Sequence, residues 1–225
     1  MILISYAVLI INSGSSLIPI LWTLSNSSRS NTQIFSRFSL IPEQVSFSNY
    51  ASMFANSNIW SSFLNSAVIT GLSLLLLLVC VLPCAFILAR FKFRFSSTIY
   101  TFFLLSIFVP NIVLLQAVYQ LFSSMGLLNG RYSISLVYAA GQIPFCIFLM
   151  VAYMREVPAS VEEAAIIDGA SVWRIFTLIM VPMSRNGIVT ILILSFVSIW
   201  NDYNLRIGLP PPTGAADADG GARFG

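Results

Sequence analysis

From Ala67 to Ala89 the chain runs for 23 residues without a charged side chain, and Leu74 to Leu78 is unbroken leucine. About 20 predominantly apolar residues in a helix cross the hydrocarbon core of a bilayer. A helix that is apolar all round has no face to offer to water. The run stops at Arg90, Lys92 and Arg94, where a span would meet headgroups and solvent. Comparable segments cover 2–24, 98–122 and 133–153, with a shorter one at 187–203. Backbone polar groups in lipid must be satisfied within the segment itself. The expected fold is therefore all-α, a polytopic transmembrane helix bundle of about five spans.

Charge content agrees. Asp, Glu, Lys and Arg make up 8% of the 225 residues, against about 25% in soluble domains. Apolar residues reach 57% and mean hydropathy is +0.88, more apolar surface than a soluble chain of this size can hide. A net charge of +3, scattered along the chain, gives no footing for nucleic acid. Histidine is absent, which excludes Ser/His/Asp and Cys/His catalysis and the HExxH metal site from this chain. Cys80, Cys84 and Cys146 sit in apolar runs and read as small hydrophobes, with no disulfide framework, metal site or cofactor implied. The first 28 residues hold no Lys or Arg, so the basic region of a cleaved leader is missing.

Basic residues orient the bundle. With the N-terminus inside, cytoplasmic loops hold Arg90, Lys92, Arg94, Arg155, Arg174 and Arg185, and external loops hold Arg29, Arg37 and Arg131. The Arg90–Arg94 cluster against the end of a span is the stronger part of this bias. The N-terminus is expected in the cytoplasm.

Three consecutive spans contain a proline, Pro83, Pro110 and Pro144. Each removes a backbone donor and kinks its helix, a common feature of membrane helices. Gln116, Gln120 and Ser123 fall on one face of the third span. They read either as hydrogen-bond glue between helices or as the polar lining of a solute path.

The stretch 154–186 leaves the membrane without reading as a loop. Ser160 and Glu163 have capping-box spacing, so a helix is expected from there to about Asp168, with Gly169 ending it in the left-handed conformation. Val172, Ile175, Phe176 and Ile179 follow at helical spacing, and Pro182 should end that helix. Two short helices over 161–181 are therefore expected around a glycine elbow. By its residues alone such a pair could also rest on the lipid surface.

This segment, EEAAIIDGASVWRIFTLIMVP, resembles the EAA motif of the membrane subunits of binding-protein-dependent ABC importers. Glu163, Ala164, Ala165, Asp168, Gly169 and the ending Ile179-Met180-Val181-Pro182 carry the likeness, with Val181 where the family usually has Leu. Asn49-Tyr50, Asn65-Ser66, Pro144-Phe145 and Trp200-Asn201-Asp202-Tyr203 resemble the carbohydrate-importing branch, similar to the second maltose permease subunit. The resemblance implies a permease that imports a solute, with sugar the leading class. It implies a second permease subunit, two ATP-binding cassette subunits and an external solute-binding protein. ATP hydrolysis is expected on the partner, since no GxxxxGK[ST] loop occurs here. In that family the segment around the glycine docks on the ATPase. A permease for a non-sugar solute and an ion-driven secondary transporter are the competing readings. Charged residues are absent from the first four spans, which leaves an ion relay few candidates.

The family usually has six spans. From Gly208 to Gly225, twelve of eighteen residues are Gly, Pro or Ala, so no sixth span is expected there. The expected organisation is a transmembrane domain over 1–203 and a disordered tail over 204–225.

Overall fold

The structure, a computed structural model, describes residues 2–30, 33–34, 45–56, 59–127 and 131–202. All regular structure among them is helical. The 204–225 tail and Arg37 lie outside the described residues. Two compact units divide at Phe63 and Leu64.

The first unit holds α1 (Ile2–Ser27) and α2 (Ser48–Asn56). The last carbonyls of a helix lack partners within it. Here the Asn49 amide donates to the carbonyls of Arg29 at 2.7 Å and Ser27 at 3.3 Å, and the Tyr50 hydroxyl lies 2.6 Å from Ser27 Oγ. The Asn49-Tyr50 pair thus fastens the start of α2 to the end of α1.

The second unit begins within α3 (Ile59–Arg90) and continues through α4 (Ser96–Ser106), α5 (Asn111–Ser124) and α6 (Arg131–Glu156). Then come α7 (Ala159–Ile167), α8 (Val172–Met183) and α9 (Arg185–Trp200). Among the described residues three helices are long and apolar enough to cross a membrane: Ile4–Ser27, Ile59–Arg90 and Tyr132–Glu156. The pair α8 and α9, bent by 70° at Ser184, is a fourth candidate.

The segment 98–122 is not one continuous helix. It breaks into α4 and α5, of 11 and 14 residues, or about 16 and 21 Å of rise. Pro110 causes the break. It offers no N–H, and it disfavours helical geometry at the residue before it. The amides of Ile107, Phe108 and Val109 instead turn back three residues, to Leu104, Leu105 and Ser106. Pro83 and Pro144 stay inside the unbroken helices α3 and α6.

The core lies among α3, α6, α8 and α9. Leu77, Val81 and Ala85 of α3 meet Cys146, Met150 and Met154 of α6, Met180 of α8 and Ile191 of α9 in one buried cluster. In lipid, apolar burial alone does not hold helices together, so close packing and polar contacts carry the association. Ser135 Oγ donates to the Ile69 carbonyl at 3.2 Å, and Cys146 Sγ lies 3.3 Å from Ser195 Oγ. The Gln142 amide donates to Ser198 Oγ at 2.8 Å. One face of α9, running from Gly187 through Ile191 and Ser195 to Ile199, supplies its buried residues.

Gly187 lets α9 pack directly against Tyr153 of α6. A Cβ built there would stand 2.6 Å from Cγ and 2.8 Å from Cβ of Tyr153. Those atoms are at the root of the side chain, so only a helix shift relieves the overlap. Gly187→Ala should therefore destabilise the bundle by about 1–3 kcal/mol, read as an earlier thermal midpoint of the detergent-solubilised protein by fluorescence-detected gel filtration. Gly71→Ala, with nothing within 4 Å of the new Cβ, should leave the midpoint unchanged.

Candidate functional site

α6 leaves the apolar zone at Arg155, whose guanidinium lies 5.3 Å from the Tyr100 ring centre. Val157 and Pro158 turn the chain into α7. The helix starts two residues earlier than capping-box spacing implies. Pro158 is its N-cap, with φ −61° and ψ 134°, and no side chain caps it. Proline's ring preorganises the helical entry and removes one donor that would need a cap. Ser160 therefore lies inside the first turn, and the reciprocal Ser160–Glu163 bonds do not form.

The end of α7 matches the sequence reading. Gly169 has φ +76°. Its N–H donates to the Ile166 carbonyl at 3.0 Å, and the Ala170 N–H donates to the Ala165 carbonyl at 2.9 Å. This is the Schellman arrangement, which consumes the orphan carbonyls of the last turn. Asp168 is the exposed C-cap, and Ser171 Oγ accepts from the Arg174 N–H to start α8.

The α7 motif divides by face. Ala165 is buried in the core cluster with Val157, Ile175, Phe176 and Met180. Glu163 and Ala164 are exposed. So are two residues that the sequence reading did not single out, Ile166 at 62% and Ile167 at 85% exposure. Two isoleucines beside Glu163 and Asp168, outside the spans, make an apolar edge with acidic flanks. Four consecutive apolar residues, Ala164 to Ile167, on a helix of this length cannot all face inward, and that was the available signal.

Glu162, not Glu163, is held within the chain. Its carboxylate pairs with Arg90 Nε, both side chains being 15% exposed. Arg90 Nη2 also donates to the Val157 carbonyl at 2.6 Å and lies 3.8 Å from Met180 Sδ. One guanidinium, at the last residue of α3, thus ties α3 to the exit of α6, to α7 and to α8. Arg90 had been legible only as an orienting charge.

Pro182 does not end α8 at once. The helix continues to Met183, and the turns before the proline, Ile175–Met180, widen to a π-helix. Pro182 cannot donate to the carbonyl four residues back, and its ring crowds it. The wider winding buries Ile175, Phe176 and Met180 together. Such bulges are frequent at functional positions.

A second feature lies deeper in the bundle. A cavity of about 440 Å³ opens among α5, α6 and the end of α9. Apolar side chains such as Leu114, Val118 and Leu136 form most of it, and Tyr138, Gln142, Ser198 and Asp202 contribute its polar groups. Gln116, Gln120 and Ser123 are exposed on α5 and are not among its lining residues.

Comparison with known proteins gives this architecture its place. The family described as binding-protein-dependent transport system inner membrane component matches residues 81–205. The diacetylchitobiose uptake system permease protein NgcG of Streptomyces coelicolor is 35% identical over 206 residues, covering 92% of this chain and 68% of its own. The trehalose transport system permease protein SugB of Mycobacterium tuberculosis is 30% identical, over 91% of this chain and 74% of its own. A solved bacterial ABC transporter that imports the acidic polysaccharide alginate superposes with a TM-score of 0.81 at 25% identity, covering 92% of this chain and 73% of that one. A family match that spans the Arg90 junction, the EAA segment and α9, on a helical fold shared with a solved importer, means that this chain belongs to the inner membrane components of binding-protein-dependent ABC importers.

Proposed function

We propose that this permease imports a carbohydrate, delivered by an external solute-binding protein. It works as a heterodimer with a second permease subunit on two ATP-binding cassette subunits. The relatives NgcG, SugB and the alginate importer are named for three different carbohydrates, which supports the class and leaves the individual sugar open. ATP is hydrolysed on the partner subunits, and this chain supplies the path and the coupling element.

The observation that carries the coupling role is the outward edge of α7. Glu163, Ala164 and Asp168 sit there with Ile166 and Ile167, while Ala165, Gly169 and Pro182 set the shape behind them. An apolar pair flanked by carboxylates suits a cleft with an apolar floor and basic rim on the ATPase. Movement of α7 would pass to α3 through Glu162 and Arg90, and to α9 through α8. The cavity beside α5 is the candidate solute chamber. The hydrogen-bonded Gln142–Ser198 pair and Asp202 suit sugar hydroxyls, while Gln116, Gln120 and Ser123 lie on an exposed face of α5 outside this chamber and would join a solute path only by facing a partner subunit. Residues 1–203 form the transmembrane domain, and 204–225 a tail apart from it.

The test of substrate class is uptake by cells that lack their own permease and express this chain with its partners. Unlabelled di- and oligosaccharides should compete with a labelled sugar, and amino acids should not. Competition by amino acids alone would overturn the carbohydrate reading.

A cytoplasmic N-terminus, supported by the Arg90–Arg94 cluster, yields a topology prediction. In a background lacking Cys80, Cys84 and Cys146, cysteines at Ser97 and Ser171 should resist a membrane-impermeant thiol reagent in intact cells. A cysteine at Ser52 should react. Labelling of Ser171→Cys from outside would contradict both the orientation and the docking role of α7.

A further inference from the structure

Beside the coupling element lies a cleft of about 460 Å³, between the C-terminal end of α3 and the first turns of α8. Pro83 and Phe86 come from α3, Phe91 and Phe93 from the segment after it, and Trp173 and Phe176 from α8. The lining is wholly apolar. The Phe86 ring lies 5.3 Å from Phe176 and 5.6 Å from Phe91, and Trp173 lies 5.4 Å from Phe176, so the rings form a continuous wall. Trp173 is nonetheless 68% exposed. An indole left open at the end of a span belongs at the boundary between acyl chains and headgroups.

Basic residues flank the lining in both segments that form the cleft. Lys92 and Arg94 alternate with Phe91 and Phe93, Arg174 follows Trp173, and all three are exposed. No Asp or Glu occurs from 88 to 106 or from 169 to 187. Residues 91–93 are not helical. Phe91 and Phe93 line the cleft, whereas Lys92 and Arg94, their neighbours in the chain, do not. A sugar or a peptide backbone would bring polar groups to a wall that can bond none of them. An acyl chain brings none. Basic rims between membrane helices favour acidic lipid headgroups.

We propose that this cleft binds one anionic glycerophospholipid, with an acyl chain along the aromatic wall and the phosphate among Lys92, Arg94 and Arg174. The lipid stands against the same first turns of α8 that the coupling segment leads into. Headgroup charge in the surrounding leaflet therefore reaches the element that connects α7 to the bundle.

The test uses the full chain in nanodiscs, with Trp22, Trp60 and Trp200 changed to Phe so that Trp173 alone reports. Brominated phosphatidylglycerol and brominated phosphatidylcholine are titrated separately into unbrominated phosphatidylcholine. Half-maximal quenching should come at a mole fraction about tenfold lower for the phosphatidylglycerol. In Lys92→Gln/Arg94→Gln/Arg174→Gln the two curves should converge, with helix content by circular dichroism unchanged. Coincident curves in the parent protein mean a bulk lipid contact and overturn the proposal, a comparison that needs none of the cation substitutions. A selectivity that survives the triple change overturns it as well. So does the absence of quenching by either lipid, since no acyl chain then reaches Trp173.

Discussion

Arg90→Ala should reduce solute uptake at least about tenfold while the chain still reaches the membrane. The guanidinium is paired with Glu162 and bonded to the Val157 carbonyl, with little exposure on either side chain. Removing one partner of a covered ion pair leaves the other charge without compensation, a loss of about 3–5 kcal/mol. That loss falls on the junction of α3 with α7 and not on the apolar core, so assembly in the bilayer should persist. Arg90→Lys keeps the charge but loses the planar fork that reaches Glu162 and Val157 together, and should be intermediate. The reversed pair, Arg90→Glu with Glu162→Arg, should recover part of the activity. Recovery is partial because a carboxylate at the last residue of α3 opposes the helix dipole there. Uptake and membrane abundance, measured on the same cells, decide it. Normal uptake by Arg90→Ala would show that the ion pair transmits nothing.

Gly169→Val should be nearly as damaging, for a different reason. Nothing lies within 4 Å of a Cβ built at Gly169, so no clash is created. The penalty is conformational: φ is +76°, and a β-branched residue held there costs about 1–2 kcal/mol. The chain escapes by leaving the left-handed region, which breaks the two bonds that close α7 and swings Ile167 and Asp168 away from their edge. ATPase association and uptake should both fall, with membrane levels unchanged. Gly169→Asn separates this from a loss of space. Asn tolerates the left-handed region better than other non-glycine residues, so it should retain most of the uptake that Val loses. Equal loss in both would point to steric exclusion by the partner and away from backbone geometry.

The spans over 2–24, 67–89 and 133–153 and the glycine elbow were legible because they depend on local chemistry, whereas 98–122 and 187–203 are not single helices long enough to qualify by themselves. An uncharged run such as Ala67–Ala89 has few places to be, and Gly169 followed a helix with apolar residues on both sides. The start of α7 was misplaced because Ser160 and Glu163 fit a cap pattern, while Pro158 had already fixed the entry. The break at Pro110 was hidden by identical signals at Pro83 and Pro144. Those two helices continue through their prolines, and hydropathy does not distinguish the three. The Arg90–Glu162 pair joins residues 72 positions apart, and two adjacent glutamates gave no sign of which one the chain keeps for itself. The cavity beside α5 depends on three helices meeting, so Gln142 and Ser198 carried no local mark, whereas the Gln116–Gln120 face did.

The central claim is that α7 is the surface on which a separate ATPase docks, and proximity tests it most directly. Ile167→Cys and Ala164→Cys are made in a chain lacking Cys80, Cys84 and Cys146, co-expressed with the partner subunits and treated with a short bifunctional thiol reagent. Val189→Cys, on an exposed face of α9, serves as the reference. The account predicts that Ile167 and Ala164 give a covalent adduct with the ATPase subunit, that ATP changes its yield, and that Val189 gives none. Absence of any adduct at Ile167 and Ala164, in an assembled complex that still imports its solute, would contradict it.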